Sequence, residues 1–172
     1  MSEMKLRTYP DPVLRKKTDR VNAVGPEERA ILDEMAKTMY MTQGVGLAAT
    51  QVGLNKQFAV INIGHGLIKM VNPVITKREG EEAQEEGCLS APGVTVKVKR
   101  AKRITVQYLN ETGEVCQLKA EGLLSRAIQH EVDHLSGTVI IDYLHPLKRA
   151  IIKRKLTKNK AKNAGKTRRR SA

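Results

Sequence analysis

Tryptophan is absent from this 172-residue chain and phenylalanine occurs once, leaving aromatic residues at 3%. Any core it forms must therefore be mainly aliphatic. Cysteine is limited to two positions, which could form one disulfide at most, not the multi-bridge scaffold of small secreted domains. No apolar run approaches the ~20 residues needed to cross a bilayer. The first residues, Met1 to Arg7, lack the long apolar segment of a secretory signal. No membrane association is expected, and a cytoplasmic location is. In that setting a metal-binding or catalytic role is expected of at least one cysteine. Cys116, in the strand-like Val115-Cys116-Gln117-Leu118, reads as a small buried hydrophobe. Cys88 has more telling neighbours.

Acidic residues are missing from position 148 onward, where twelve Lys or Arg accumulate. The net charge is +13, yet residues 1–147 hold nineteen basic against eighteen acidic side chains. The expectation is a nearly neutral body over 1–147, followed by a basic C-terminal helix and tail over 148–172. A hydrophobic content of 40% over this length is enough for one core. No long apolar surface helix is visible, so a monomer is expected.

Pro10 and Pro12 punctuate an irregular arm from Leu6 to Val24. A helix is predicted from Pro26, with Glu27 and Glu28 in the first turn, where the helix dipole favours acid. Ile31, Leu32, Met35, Met39 and Tyr40 make its apolar stripe, and it should stop before Gly44. Short strand-like runs occupy about 57–120: Phe58 to Ile61, Met70-Val71 with Val74-Ile75, Val94 to Val98, Ile104 to Leu109 and Val115 to Leu118. The last two flank the turn Asn110 to Gly113 and read as a hairpin. Lys77 to Glu86 is so highly charged that it reads as a solvated loop. A second helix is predicted over Gly122 to Ser136, closed by Gly137. Val139 to Ile141 reads as a short strand. A third helix should start at Pro146, with order lost beyond about Lys158 unless a partner binds.

The second helix carries His130-Glu131-Val132-Asp133-His134. Two imidazoles four residues apart share one helix face and can grip one metal ion, and the adjacent glutamate can move protons for an activated water. The bland alternative is two ordinary histidines, one exposed and one hydrogen-bonded in the core. Against it, burying three polar side chains unpaired on an apolar helix costs several kcal/mol, and a metal accounts for all three. No third ligand follows at the spacing of the zinc proteases. Upstream, Glu86-Gly87-Cys88-Leu89-Ser90 offers a thiolate, and a Cys/His/His set leaves a coordination position open for catalysis. The expected architecture is α+β, with mixed or antiparallel strands around a central metal-binding helix.

Three segments in order, Gly44-Val45-Gly46-Leu47-Ala48-Ala49-Thr50-Gln51, Glu86 to Ser90 and Gln129 to Leu135, resemble the three motifs of the peptide deformylases. The arm Tyr9 to Arg15 is similar to that family's N-terminus, and the likeness spans roughly residues 5–150. The resemblance implies hydrolysis of the N-formyl group from formyl-methionine at the start of nascent polypeptides. It implies that Cys88, His130 and His134 bind one divalent metal, natively Fe(2+), with Ni, Co or Zn as substitutes. Glu131 would take a proton from water and pass it to the departing amine. Gln51 and the backbone N–H of Leu89 would stabilise the oxyanion. Gly44, Val45 and Gly46 would pair with an extended peptide; Val45, Leu123 and Ala127 would receive the methionine side chain, unless they are ordinary core. Arg126 stands beside them, where some relatives have an aliphatic residue.

Glu86, Arg100 and Asp133 are candidates for orienting the ligands, with surface salt links as the competing explanation. The cationic tail points to ribosomal RNA or acidic ribosome surfaces, against a plain solvated helix. Two rival functions remain: a metal endopeptidase, which the upstream Cys88 disfavours, and a ribosome-binding protein with a structural metal, which needs neither Gln51 nor Glu131.

Overall fold

The computed structural model describes residues 4–170, with side-chain surroundings through Lys162. The first helix, α1 (Pro26–Met41), begins as predicted, and the Gly25 N–H donates to the Glu28 carboxylate at 3.0 Å. Leu32, Met35 and Met39 on its inner face are fully buried against Phe58 and Val60. Seven strands follow: β1 (Gly46–Ala48), β2 (Phe58–Ile61), β3 (Ile68–Glu79), β4 (Glu82–Gly87), β5 (Thr95–Arg100), β6 (Arg103–Leu109) and β7 (Val115–Glu121). The helix α2 (Gly122–Leu135) then leads to a 3-10 turn at Ile140–Tyr143 and to α3 (Pro146–Arg170).

Five strands form an antiparallel sheet in the order β1-β2-β3-β6-β7, and β4 pairs with β5 in a separate antiparallel ribbon. The fold is α+β, as expected. Along α2, Ala127 and Ile128 pack on Ile61, Met70, Val106 and Ala120 of the larger sheet. β1 stands at that sheet's edge beside α2. The smaller ribbon covers the other side of the site, its Val96 and Val98 packed with Leu14, Ile140, Ile141 and Leu156. The Asn110–Gly113 turn closes the β6–β7 hairpin, with Asn110 Oδ1 accepting the N–H groups of Thr112 and Glu114.

Three expectations are corrected. Lys77 to Glu86 is not a solvated loop: its first residues end β3 and Glu82–Gly87 forms β4. The charge density that hides this strand is what its partner needs, since acidic β4 lies against basic β5 with Glu85 opposite Lys97 and Glu82 opposite Arg100. Opposite charges across a ladder stabilise it. Val139 to Ile141 is not a strand. The Asp142 carboxylate accepts the Val139 N–H at 2.9 Å and the Asp142 N–H donates back to the Val139 carbonyl, curling the chain into the 3-10 turn.

Nor does helical order stop near Lys158, since α3 runs to Arg170. Lys, Arg and Ala are good helix formers, and Leu156, 3% exposed, anchors the helix in the core cluster. Lys160 also donates to the Thr8 carbonyl at 2.9 Å. The proximal part of α3 is therefore packed onto the body. Among the described residues no helix is long and apolar enough to cross a membrane.

Candidate metal centre and active site

Helical spacing puts His130 and His134 one turn apart on α2, with ring centroids 4.9 Å apart and Nε2 atoms at 3.2 Å. Cys88 enters from the loop after β4, its Sγ 3.2 Å from His134 Nε2. All three ligand atoms lie within 4.8 Å of one another. Tetrahedral bonds of about 2.0–2.3 Å set neighbouring ligand atoms roughly 3.3–3.6 Å apart, so this cluster fits a divalent metal. His134 is 1% exposed, and burial holds its pKa well below the ordinary value, favouring the neutral form a ligand needs. Burial also pulls His130 down, but hydrogen bonds to Cys88 and Glu86 and the nearby Glu131 carry its pKa well above the ordinary value. A cation with three donors satisfies the same demand for positive charge that this proton meets.

Glu131, also on α2, is 4% exposed and its Oε2 has no hydrogen-bond partner among the described residues. Burial raises its pKa to about 7, against the lowering effect of His130 and Arg100. Such a carboxyl can both take and give a proton near neutrality. Its space is made by Gly46, on whose backbone a Cβ would stand 2.3 Å from Glu131 Oε1.

Gln51 sits in a 3-10 turn after β1, 1% exposed. Its Oε1 accepts the Ala48 N–H at 2.8 Å, which turns the Nε2 donor toward Cys88 Sγ, 3.7 Å away, and Ser90 Oγ, 3.2 Å away. The N-terminal arm stitches these segments together. Arg7 N–H donates to the Gln51 carbonyl, Tyr9 N–H donates to the Ser90 carbonyl, and Ser90 Oγ donates to the Arg7 carbonyl. Ser90 lies inside the motif read from the sequence, but its bridging role required the arm's path. Leu89, beside Cys88, fills the space next to Gly44, where a Cβ would meet its Cδ1 at 2.8 Å.

Gly44, Val45, Gly46, Gln51, Leu89, Leu123, Ala127, His130 and Glu131 all border one open cavity of about 530 Å³. Val45 and Leu123 are half exposed at its rim and Ala127 is buried in its wall. The apolar candidates and the polar ones thus meet in one place, at the edge strand β1.

Glu86 and Arg100 are not a surface salt link, and Asp133 joins them from a partly exposed position. Glu86 and Arg100 are 7% and 6% exposed. Arg100 donates through Nε and Nη2 to both Glu86 oxygens at 2.8 and 2.9 Å, and through Nη1 to Asp133 Oδ2 at 2.7 Å. Glu86 Oε2 lies 3.1 Å from His130 Nδ1, and its Oε1 accepts Arg126 Nη1 at 2.6 Å. Burial alone would raise the Glu86 pKa, but Arg100, His130 and Arg126 hold it down to about 2. Arg126 also donates to the carbonyls of Val98 and Glu82. It ties α2 to the β4–β5 ribbon, a role its sequence context did not reveal.

Residues 3–150 match the family described as polypeptide deformylase. A peptide deformylase of Thermodesulfovibrio yellowstonii is 41% identical over 165 residues, which is 93% of this chain and 100% of that relative. One from Halothermothrix orenii is 46% identical over 144 residues, covering 83% of this chain and 94% of its own. The crystal structure of a peptide deformylase from Ehrlichia chaffeensis superposes with a TM-score of 0.90 at 36% identity, over 95% of this chain and 99% of that one. With its three motifs converging on one cavity, this chain belongs to the polypeptide deformylase family.

Proposed function

We propose that this chain hydrolyses the N-formyl group from formyl-methionyl ends of nascent polypeptides, releasing formate and a free α-amine. The observation that carries this reading is the convergence of Cys88, His130 and His134 beside the buried, unpartnered carboxylate of Glu131. A divalent cation held by those three side chains would supply Lewis acidity, making water easier to deprotonate near neutral pH and drawing charge from a carbonyl oxygen.

The chain's own residues do the rest. Glu131 accepts the proton of the attacking water and delivers it to the amine as the C–N bond breaks. Gln51 Nε2 and the Leu89 N–H donate to the oxygen that gains charge; the Ala48 N–H on Gln51 Oε1 supports this, because it fixes which end of the amide faces the site. An extended peptide adds to the edge strand at Gly44–Gly46. Its methionine side chain enters between Val45, Leu123 and Ala127. Glu86, backed by Arg100 and Asp133, orients His130.

The proposed native ion is Fe(2+), with Ni, Co or Zn able to occupy the same donors; a thiolate beside ferrous iron makes the loaded protein oxygen-sensitive. The proposed setting is the cytoplasm and the proposed unit a monomer. The twelve cations after position 147 are proposed to dock the protein on ribosomal RNA by salt-sensitive phosphate contacts. The test of function is anaerobic formate release from a formyl-Met tripeptide, with the acetyl-Met tripeptide alongside. Rapid release from the first and little turnover of the second is expected. Equal cleavage of internal peptide bonds would favour the endopeptidase reading instead.

A further inference from the structure

Arg100 is the hub of the charges behind the metal ligands, and its side chain is 4% exposed. Two of its nitrogens, Nε and Nη2, are taken by Glu86 and the third by Asp133. The remaining neighbour is Tyr143, delivered by the 3-10 turn that follows α2. The Tyr143 hydroxyl donates to Asp133 Oδ2 at 2.6 Å and lies 3.4 Å from Arg100 Nη1. Its ring faces the guanidinium, whose carbon is 5.2 Å from the ring centroid, within the ~6 Å reach of a cation–π contact.

Arg100, Asp133 and Tyr143 border a second cavity of about 570 Å³, together with Arg78, Lys99 and Gln129. It shares no lining residue with the substrate cavity. Arg100 itself borders this cavity, with the Tyr143 ring packed against its guanidinium, so solvent entering there is the competitor for its donors. A guanidinium drawn toward that water would release Glu86, which could then swing to its other partner, Arg126, and let go of His130 Nδ1. Imidazole orientation depends on such outer partners, whose loss typically lowers metal affinity about 10–100-fold.

We propose that Tyr143 is a positioning residue of the metal centre: its ring and hydroxyl keep Arg100 seated on Glu86, the carboxylate that holds His130. It makes no hydrogen bond to Cys88, His130 or His134 and does not line the substrate cavity. The proposal rests on reading Cys88, His130 and His134 as metal ligands.

The experiment uses Co(2+)-loaded full-length protein, reading visible absorption and the rate of metal loss to excess EDTA. Tyr143→Leu removes ring and hydroxyl, and should release Co(2+) about tenfold faster with an altered spectrum. Tyr143→Phe, which loses one hydroxyl and leaves the ring in place, should fall between it and the wild type. Asn110→Ala loosens the β6–β7 turn, which makes no hydrogen bond to Arg100 or Tyr143, and should release metal at the wild-type rate. Wild-type rates and spectra in both Tyr143 variants would overturn the proposal, as would release from Asn110→Ala as fast as from Tyr143→Leu. A wild-type protein that takes up no Co(2+) would instead refute the metal-site reading, and the proposal would fall with it.

Discussion

Gly46 and Glu131 approach so closely that no side chain fits between them: a Cβ on Gly46 would lie 2.3 Å from Glu131 Oε1. The edge strand that is to receive the peptide and the carboxyl that is to move the proton are thus set against each other by the absence of one carbon. Gly46→Ala must displace Glu131. The expected result is a loss of about 100-fold or more in kcat/KM, the scale of general acid–base catalysis, with metal content unchanged. Steady-state formate release and metal analysis on the same sample check it. A fully active Gly46→Ala enzyme would show that Glu131 tolerates displacement.

Glu86 is shared by Arg100, Arg126 and His130. Glu86→Gln leaves two buried guanidinium groups without their shared counter-charge. Breaking a buried pair from one side costs about 3–5 kcal/mol, so a marked fall in melting temperature is expected. Metal retention during dialysis against a chelator should also fall, by roughly 10–100-fold in affinity. Unchanged melting and retention would make the cluster incidental.

Most of this centre was legible in the chain. His130 and His134 declare themselves by spacing alone, because an α-helix puts positions four apart on one face. Cys88 could be offered as a third ligand on its chemistry, but Gln51 needed the family resemblance, since nothing local in the sequence says that loops forty or eighty residues away meet α2. Glu86 was legible only as a candidate, because a strand as rich in Glu and Gln as β4 reads as a loop until its basic partner strand is known. Arg126 and Tyr143 were not legible as supports. Their meaning lies in contacts across 40 and 43 positions, with Glu86 and Arg100, and no periodicity encodes such contacts. The short run Val139 to Ile141 misled for a different reason: three β-branched residues favour a strand, but Asp142 captures the Val139 N–H and bends them.

The N-terminal arm is fastened to the 3-10 turn by Arg15 and Asp142, an ion pair backed by Arg149. Burial alone would raise the Asp142 pKa, but Arg15 and the Val139 N–H hold it below the ordinary 3.8. In the unfolded chain Asp142 therefore binds a proton more readily than in the fold. Its contribution to stability is complete above pH about 4 and is lost as pH falls through the lower folded value. Asp142→Asn should melt earlier than the wild type at pH 6, and the gap should close below pH 4. Thermal melts from pH 3 to 7 test this; a gap that widens in acid would contradict the sign.

The cationic segment cannot be removed where its charge begins. Leu156 is buried in the core cluster and Ile152 packs beside it, so a chain cut after Pro146 should lose stability along with charge. A chain cut after Lys162 keeps that anchor and the Lys160 contact with Thr8, and sheds Lys166, Arg168, Arg169 and Arg170. It should retain turnover on small formyl peptides, while its co-sedimentation with ribosomes at low salt weakens and its salt dependence becomes shallower. Unaltered co-sedimentation would remove the distal cations from any docking role.

The most direct measurement is anaerobic formate release from a formyl-Met tripeptide by ferrous-loaded wild type and Glu131→Ala at equal metal content. Rapid release by the wild type and a loss of at least about 100-fold in the variant is the expected result. Comparable rates in the two proteins would contradict the assignment of proton transfer to the buried carboxyl beside Cys88, His130 and His134.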